Sequence, residues 1–172
     1  MREFIISFIG DDQPGFISAI SEIIANNNGS WLESRMSQLA GKFAGIVRIS
    51  VSAEKLQALQ AALRELANDQ FSLLIENVDD PADTGDQQFL INVLGHDRAG
   101  IVSQVTSLLA AQGVNVLEMA TDIAPAAMTG QKMFGCEAKV AVAGDIDMGL
   151  LEDQLAAAGD ELGVDIELVP AE

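Results

Sequence analysis

Two hexapeptides in this chain carry residue types at a spacing that suits recognition chemistry. They are Gly10-Asp11-Asp12-Gln13-Pro14-Gly15 and Gly95-His96-Asp97-Arg98-Ala99-Gly100. Each follows a short apolar run and precedes residues with helical periodicity. A strand that turns through glycines into a helix leaves the first N–H groups of that helix without carbonyl partners. Such groups attract a carboxylate or phosphate. The carboxylate of Asp12 or Asp97 can cap the helix or hold an ammonium group. A small zwitterion, such as an amino acid, would satisfy both ends. The same residues also suit an unliganded turn, with Asp as N-cap and Gly at positive φ. The spacing G-x-x-x-x-G, with no Lys-Ser/Thr after it, is neither a P-loop nor the dinucleotide fingerprint.

Other reactive side chains are scarce. The chain has one Cys, Cys136, and one His, His96. No intrachain disulfide can form, and a Cys/His zinc cage lacks ligands. Cys136 falls on an apolar strand stripe and reads as a buried, inert thiol. His96 reads as a solvated turn residue within reach of a ligand. Trp31, at a strand start, reads as core or interface. No Ser/His/Asp constellation is identifiable. No catalytic residue, metal or cofactor is therefore expected.

The turns sit in a duplicated frame. The segment from Phe4 to Glu33 aligns without a gap on Phe89 to Glu118, with Gly10/Gly95, Asp12/Asp97, Gly15/Gly100 and Leu32/Leu117 among the identities. Phe4–Ile9 and Phe89–Leu94 read as buried strands. Ile17, Ile20 and Ile24, and Val102, Val105 and Leu109, recur at helical spacing. A mixed strand, a period-2 strand and a second helical stripe follow in each copy, then a closing strand at Phe71–Ile75 and Val164–Leu168. The order β-α-β-β-α-β, twice, predicts an α+β protein of two ferredoxin-like units. Each is a four-stranded antiparallel sheet with two helices on one face. The expected units are 1–79 and 87–172, joined by an acidic linker at 80–86. Leu32 and Met36 alternate with Ser34 and Gln38, so both are expected on the open sheet face.

Composition sets the outer limits. Apolar residues make up 49% of 172, enough for a core. Nine Lys+Arg stand against 26 Asp+Glu, a formal charge of −17. That balance argues against gripping nucleic acid or an anionic membrane. The second copy holds 13 of the 26 acidic residues against three Lys/Arg, and Asp145 to Glu167 contains no Lys or Arg. The run reads as a solvated face or as a docking surface for a basic partner. Neither a secretory signal nor a long apolar span is apparent, so a soluble cytoplasmic protein is expected.

Strand, G-x-D-x-P-G, aliphatic helix and Asn27-Asn28-Gly29-Ser30-Trp31 together resemble the ACT domain, a regulatory amino-acid-binding module. The second copy matches with Gln112-Gly113-Val114-Asn115-Val116. Two such units in tandem, and the longer segment 124–130, resemble the glycine cleavage system transcriptional repressor family. The resemblance implies an effector at a domain–domain interface, held by Asp12 and Gly15 or Asp97 and Gly100, and by Asn115. In the first copy Ser30 stands where Asn115 does. It also implies a small amino acid, glycine favoured, as ligand, and a DNA-binding regulator as protein partner, with repression exerted indirectly. A homo-oligomer is expected. The other role open to such units is a regulatory subunit of an amino-acid biosynthetic enzyme, as in the small subunit of acetolactate synthase.

The charge alone generates one prediction. Purified protein should give no sequence-specific gel shift at physiological salt, because phosphates repel a chain of −17. A salt-sensitive shift with a sequence-dependent footprint would contradict it.

Overall fold

The computed structural model describes residues 1–78, 85–126 and 130–171. Twelve elements follow one another among them. The first six are β1 (Arg2–Asp11), α1 (Phe16–Asn26), β2 (Ser30–Leu39), β3 (Lys42–Val51), α2 (Leu56–Arg64) and β4 (Phe71–Asn77). The second six are β5 (Gln87–His96), α3 (Ile101–Ala111), β6 (Asn115–Pro125), β7 (Lys132–Val142), α4 (Met148–Leu162) and β8 (Val164–Pro170). The chain divides into two compact units, Met1–Pro81 and Ala82–Glu172. Residues 80–84 of the expected linker, and 127–129 of the segment 124–130, lie outside the described residues.

Each unit is one antiparallel sheet, in the order β2-β3-β1-β4 or β6-β7-β5-β8. Period-2 patterning turns one face of each sheet inward, and the helices close over it. In the first unit Phe4, Ile6 and Phe8 of β1 and Val47 and Ile49 of β3 meet Ile20 and Ile24 of α1 and Leu59 and Leu63 of α2. In the second, Ile91, Val93, Val105, Leu109, Val140, Leu151 and Leu155 repeat the arrangement. Helix formation here depends on this burial, since helices of nine to 15 residues are marginal alone.

One expectation about the open faces is corrected. A β-bulge interrupts β2 between Trp31 and Glu33, and another interrupts β6 between Val116 and Glu118. The extra residue is Leu32 in one and Leu117 in the other. A single inserted residue swaps the faces of everything after it. Met36 therefore pairs with Gly45, opposite Phe8, and packs on the helix-side core, whereas Leu32 is exposed.

Gly10 and Gly95 sit in regular strand, not at positive φ. Their role is space. A Cβ on Gly10 would lie 2.8 Å from the Phe71 ring, and one on Gly95 would lie 2.5 Å from Val164 Cγ1. These glycines let the start of β4 or β8 press against the strand that feeds the turn. Gly10→Ala and Gly95→Ala should each destabilise by about 1–3 kcal/mol through overpacking. Gly135→Ala, whose Cβ would meet only Asp122 O at 4.0 Å, should stay within about 0.5 kcal/mol. Urea titration of the three variants checks the contrast.

Candidate ligand-binding turns

In the first unit β1 ends with Asp11 in an ion pair with Lys42 of β3. Asp12 N–H donates to Gly41 O at 3.0 Å, which ties the turn to the neighbouring hairpin. Gly15 then opens α1 as its N-cap at φ 89°, with no side-chain cap. The second unit repeats this. Asp97 N–H donates to Lys132 O at 3.0 Å, and Gly100 opens α3 at φ 99°, also without a side-chain cap. Only glycine adopts that conformation without strain. Glycine at the N-cap has no side-chain oxygen; its carbonyl accepts from Ala19 N–H or Gln104 N–H, and the N–H groups ahead of those stay available.

Asp12 and Asp97 are therefore not the helix caps. Both are exposed, and neither carboxylate has a partner among the described residues. The side chain that does cap a helix is Asp147, which accepts from Leu150 N at 3.1 Å. Its position just before Met148 could have been read as an N-cap from sequence.

The turns rest on different supports. Beneath Gly15 lie Phe8, Phe16, Phe43 and Phe71, with Phe16 and Phe71 edge-to-face at 4.2 Å. Two shallow cavities flank that turn. One of about 180 Å³ is lined by Asp12, Gly15, Phe16 and Phe43, and one of about 310 Å³ by Gln13, Gly15, Leu66, Asn68 and Phe71. In the second unit α4 runs through Gly163 straight into β8. There a cavity of about 360 Å³ lies between Gly95, His96, Asp160, Gly163 and Asp165. His96 is exposed at its rim.

Ser30 and Asn115 are not brought to these turns within their own units. Asn115 pairs with Ala141, which pairs with Gln88 at the opening end of β5. The turn leaves the other end, beyond Gly95. Seven residues of strand separate the two rows, about 23 Å. Ser30, paired with Ser50 and through it with Glu3, is as remote from Gly15. One unit can offer a given small ligand the turn or the strand-start side chain, not both.

Cys136 is half-buried on the helix-side face of β7, beside Val93, Val105 and Phe134. Burial, with the charge of Glu137 added, pushes its thiol above the ordinary range. At neutral pH it is protonated and a weak nucleophile. Among the described residues, no group of three or more His, Cys, Asp or Glu could hold a metal ion. Among the described residues no helix is long and apolar enough to cross a membrane.

A family model for the ACT domain matches residues 2–76 and again 87–169. The chain is similar to UPF0237 protein MK1213 of Methanopyrus kandleri, at 31% identity over 78 residues, covering 45% of this chain and 80% of that protein. A UPF0237 protein of Methanosarcina mazei is 27% identical over 81 residues, 47% of this chain and 83% of its own length. Among solved structures, an unknown protein from Galdieria sulphuraria superposes with a TM-score of 0.89 at 29% identity, covering 99% of both chains. A candidate glycine cleavage system transcriptional repressor superposes with a TM-score of 0.72 at 14% identity, over 99% of this chain and 98% of the other. At that identity the likeness is one of fold.

The capping pattern can be tested directly. Asp12→Ala and Asp97→Ala should change stability by less than about 0.5 kcal/mol, whereas Asp147→Ala should cost about 1 kcal/mol. Thermal and urea unfolding distinguish the two. An equal loss at Asp97 would restore it as a cap.

Proposed function

The chain belongs to the ACT-domain family, once in each half, and from that premise we propose that it is a non-catalytic regulatory protein that senses a small amino acid. Glycine is the favoured effector. The observation that carries the reading is the pairing, in both turns, of a helix N-terminus without a side-chain cap with a carboxylate that has no partner among the described residues. The N–H groups behind Gly15 and Gly100 suit the ligand's carboxylate, and Asp12 or Asp97 suits its ammonium group. Asn115 lies at the far end of its own sheet, so its amide oxygen reaches a turn-bound ligand only from a second molecule of the chain. Ser30, shorter, offers less, so the second copy's strand start contributes more binding.

The output is transcriptional and indirect. The protein acts on glycine-cleavage genes by engaging a DNA-bound activator in the cytoplasm. Its charge of −17 supports contact with a basic protein over contact with DNA. Glu152, Asp153, Asp160 and Glu161 of α4 are all exposed and form the acidic part of that surface, while Asp165 and Glu167 of β8 are exposed on the opposite face of the sheet. The fold shared with a candidate glycine cleavage repressor supports the same role.

Calorimetry with glycine and serine tests the sensing step. Asn115→Ala should weaken binding by about 5- to 150-fold, the worth of one buried polar contact of roughly 1–3 kcal/mol. Gly100→Val, which forces a β-branched residue to φ 99°, should weaken it further. His96→Ala should change affinity little. Unchanged affinity in a folded Asn115→Ala variant would reject that residue, and no binding by the parent would reject the sensing role. A pull-down from cell extract tests the output. Recovery of a transcription factor supports it, and recovery of a large biosynthetic catalytic subunit replaces it with the subunit role.

A further inference from the structure

The cavity at the joint of α4 and β8 gathers charges that the first unit lacks. It measures about 360 Å³, at the small end of ligand pockets, and wraps round the end of the sheet. Asp160 lines it on the α4 side, and Asp165, Leu94 and Met133 line it on the open-face side. Gly163, at φ 66°, lies between them, and a Cβ there would come within 3.8 Å of Arg98 Nη1. The Arg98 guanidinium therefore stands at the edge of the same cavity. Arg98, Asp160 and Asp165 are exposed, and none has an ion-pair partner among the described residues. The corresponding places in the first unit carry no free charge. Gln13 stands for Arg98 and Ser72 for Asp165, while Asp11, at the place of His96, is held by Lys42. Folding of the duplicated frame therefore does not require these charges.

We propose that this cavity binds a basic α-amino acid, of the lysine or ornithine type, at a site separate from the starts of α1 and α3. The planar guanidinium of Arg98 suits the ligand's carboxylate. Asp160 precedes Gly163 by one helical turn and Asp165 follows it by two strand residues, each about 5–7 Å away. The two carboxylates thus flank the residue over which Arg98 lies. Asp160 takes the α-ammonium group and Asp165 the side-chain cation, while Leu94 and Met133 wall the methylene stem between them. Charge selects this class. Two carboxylates against one guanidinium leave one negative charge, which the single net positive charge of a basic amino acid cancels. A neutral amino acid leaves one carboxylate unmatched, and an acidic one meets it with repulsion. A diamine sets a cation against Arg98. The field of a chain at −17 adds to the same preference.

Calorimetry on the full chain with lysine, in the absence of glycine, tests this independently of the glycine-sensing role. Lysine should bind about tenfold or more tightly than norleucine, which lacks the side-chain ammonium, and than cadaverine, which lacks the carboxylate. Asp165→Asn should weaken lysine by about tenfold and leave norleucine unchanged. Arg98→Gln, which copies the first unit's own residue, should weaken lysine and norleucine alike and leave cadaverine unweakened. Asp145→Asn removes the same charge ahead of the other end of α4 and should leave lysine affinity as it was. All three positions are exposed, so circular dichroism should be unchanged. A parent that binds no lysine at about 5 mM overturns the proposal. Equal losses in Asp165→Asn and Asp145→Asn also overturn it, because the effect would then be one of net charge. Saturating glycine should not displace lysine, and full displacement would overturn the separate site. Lysine binding without glycine binding would reject the turns as the glycine site and leave the cavity standing.

Discussion

One burial event holds each unit together: two short helices close over one face of a four-stranded sheet. A unit of about 80 residues has little surface to spare, so nearly every large apolar side chain on that face is recruited. Phe4, Ile6 and Ile49 are fully buried in the first unit, and Ile91, Val140 and Leu151 in the second. The other features follow from this one-sided closure. Helices that cover one face leave the opposite face open. A strand that delivers its chain to a helix on the covered face must turn sharply at its end. The glycine-rich turn, the uncapped helix start and the exposed sheet centre all derive from that geometry.

The duplication, the strand–turn–helix order and the ACT resemblance were legible in the sequence because each rests on local periodicity or on a short motif. The turns were legible as places, but their internal roles were not. Asp12 and Asp97 have the chemistry of an N-cap, yet the cap falls three residues later, on Gly15 and Gly100. An Asp three residues ahead of the cap cannot reach the N2 or N3 amide. The face of Met36 was misread for a different reason. A bulge adds one residue to one strand only, and alternation counted along that strand carries no mark of it. Asn115 was legible as a candidate, but its distance from the turn is a property of pairing register, which a single sequence does not record.

The two copies have kept the backbone and changed what surrounds it. The first turn stands on a cluster of four Phe rings, whereas Val93, Ile101 and Val164 join Phe134 in the second. Rings packed edge-to-face fix one another's orientation more tightly than branched aliphatics do. The two turns are accordingly alike in dihedral angle and unlike in support. A duplicated module that retains its geometry can diverge in affinity through such supporting residues alone.

The joint between helix and closing strand differs as well. In the first unit residues 65–70 separate α2 from β4, while in the second Gly163 alone separates α4 from β8. Gly163 adopts φ 66°, its N–H returns to Gly159 O, and the Gly159 backbone lies so close to Val164 O that a Cβ there would be 2.8 Å away. Helix and strand thus share one hinge with no slack. Fraying of β8 must carry the last turn of α4 with it, so the pair opens and closes as a single cooperative block. Amide hydrogens of α4 and β8 should therefore exchange with a common opening free energy, whereas those of α2 and β4 should be able to exchange on separate clocks. The acidic surface of the second unit is borne on that block, and any protein that grips it clamps the closing edge of the sheet in the same act.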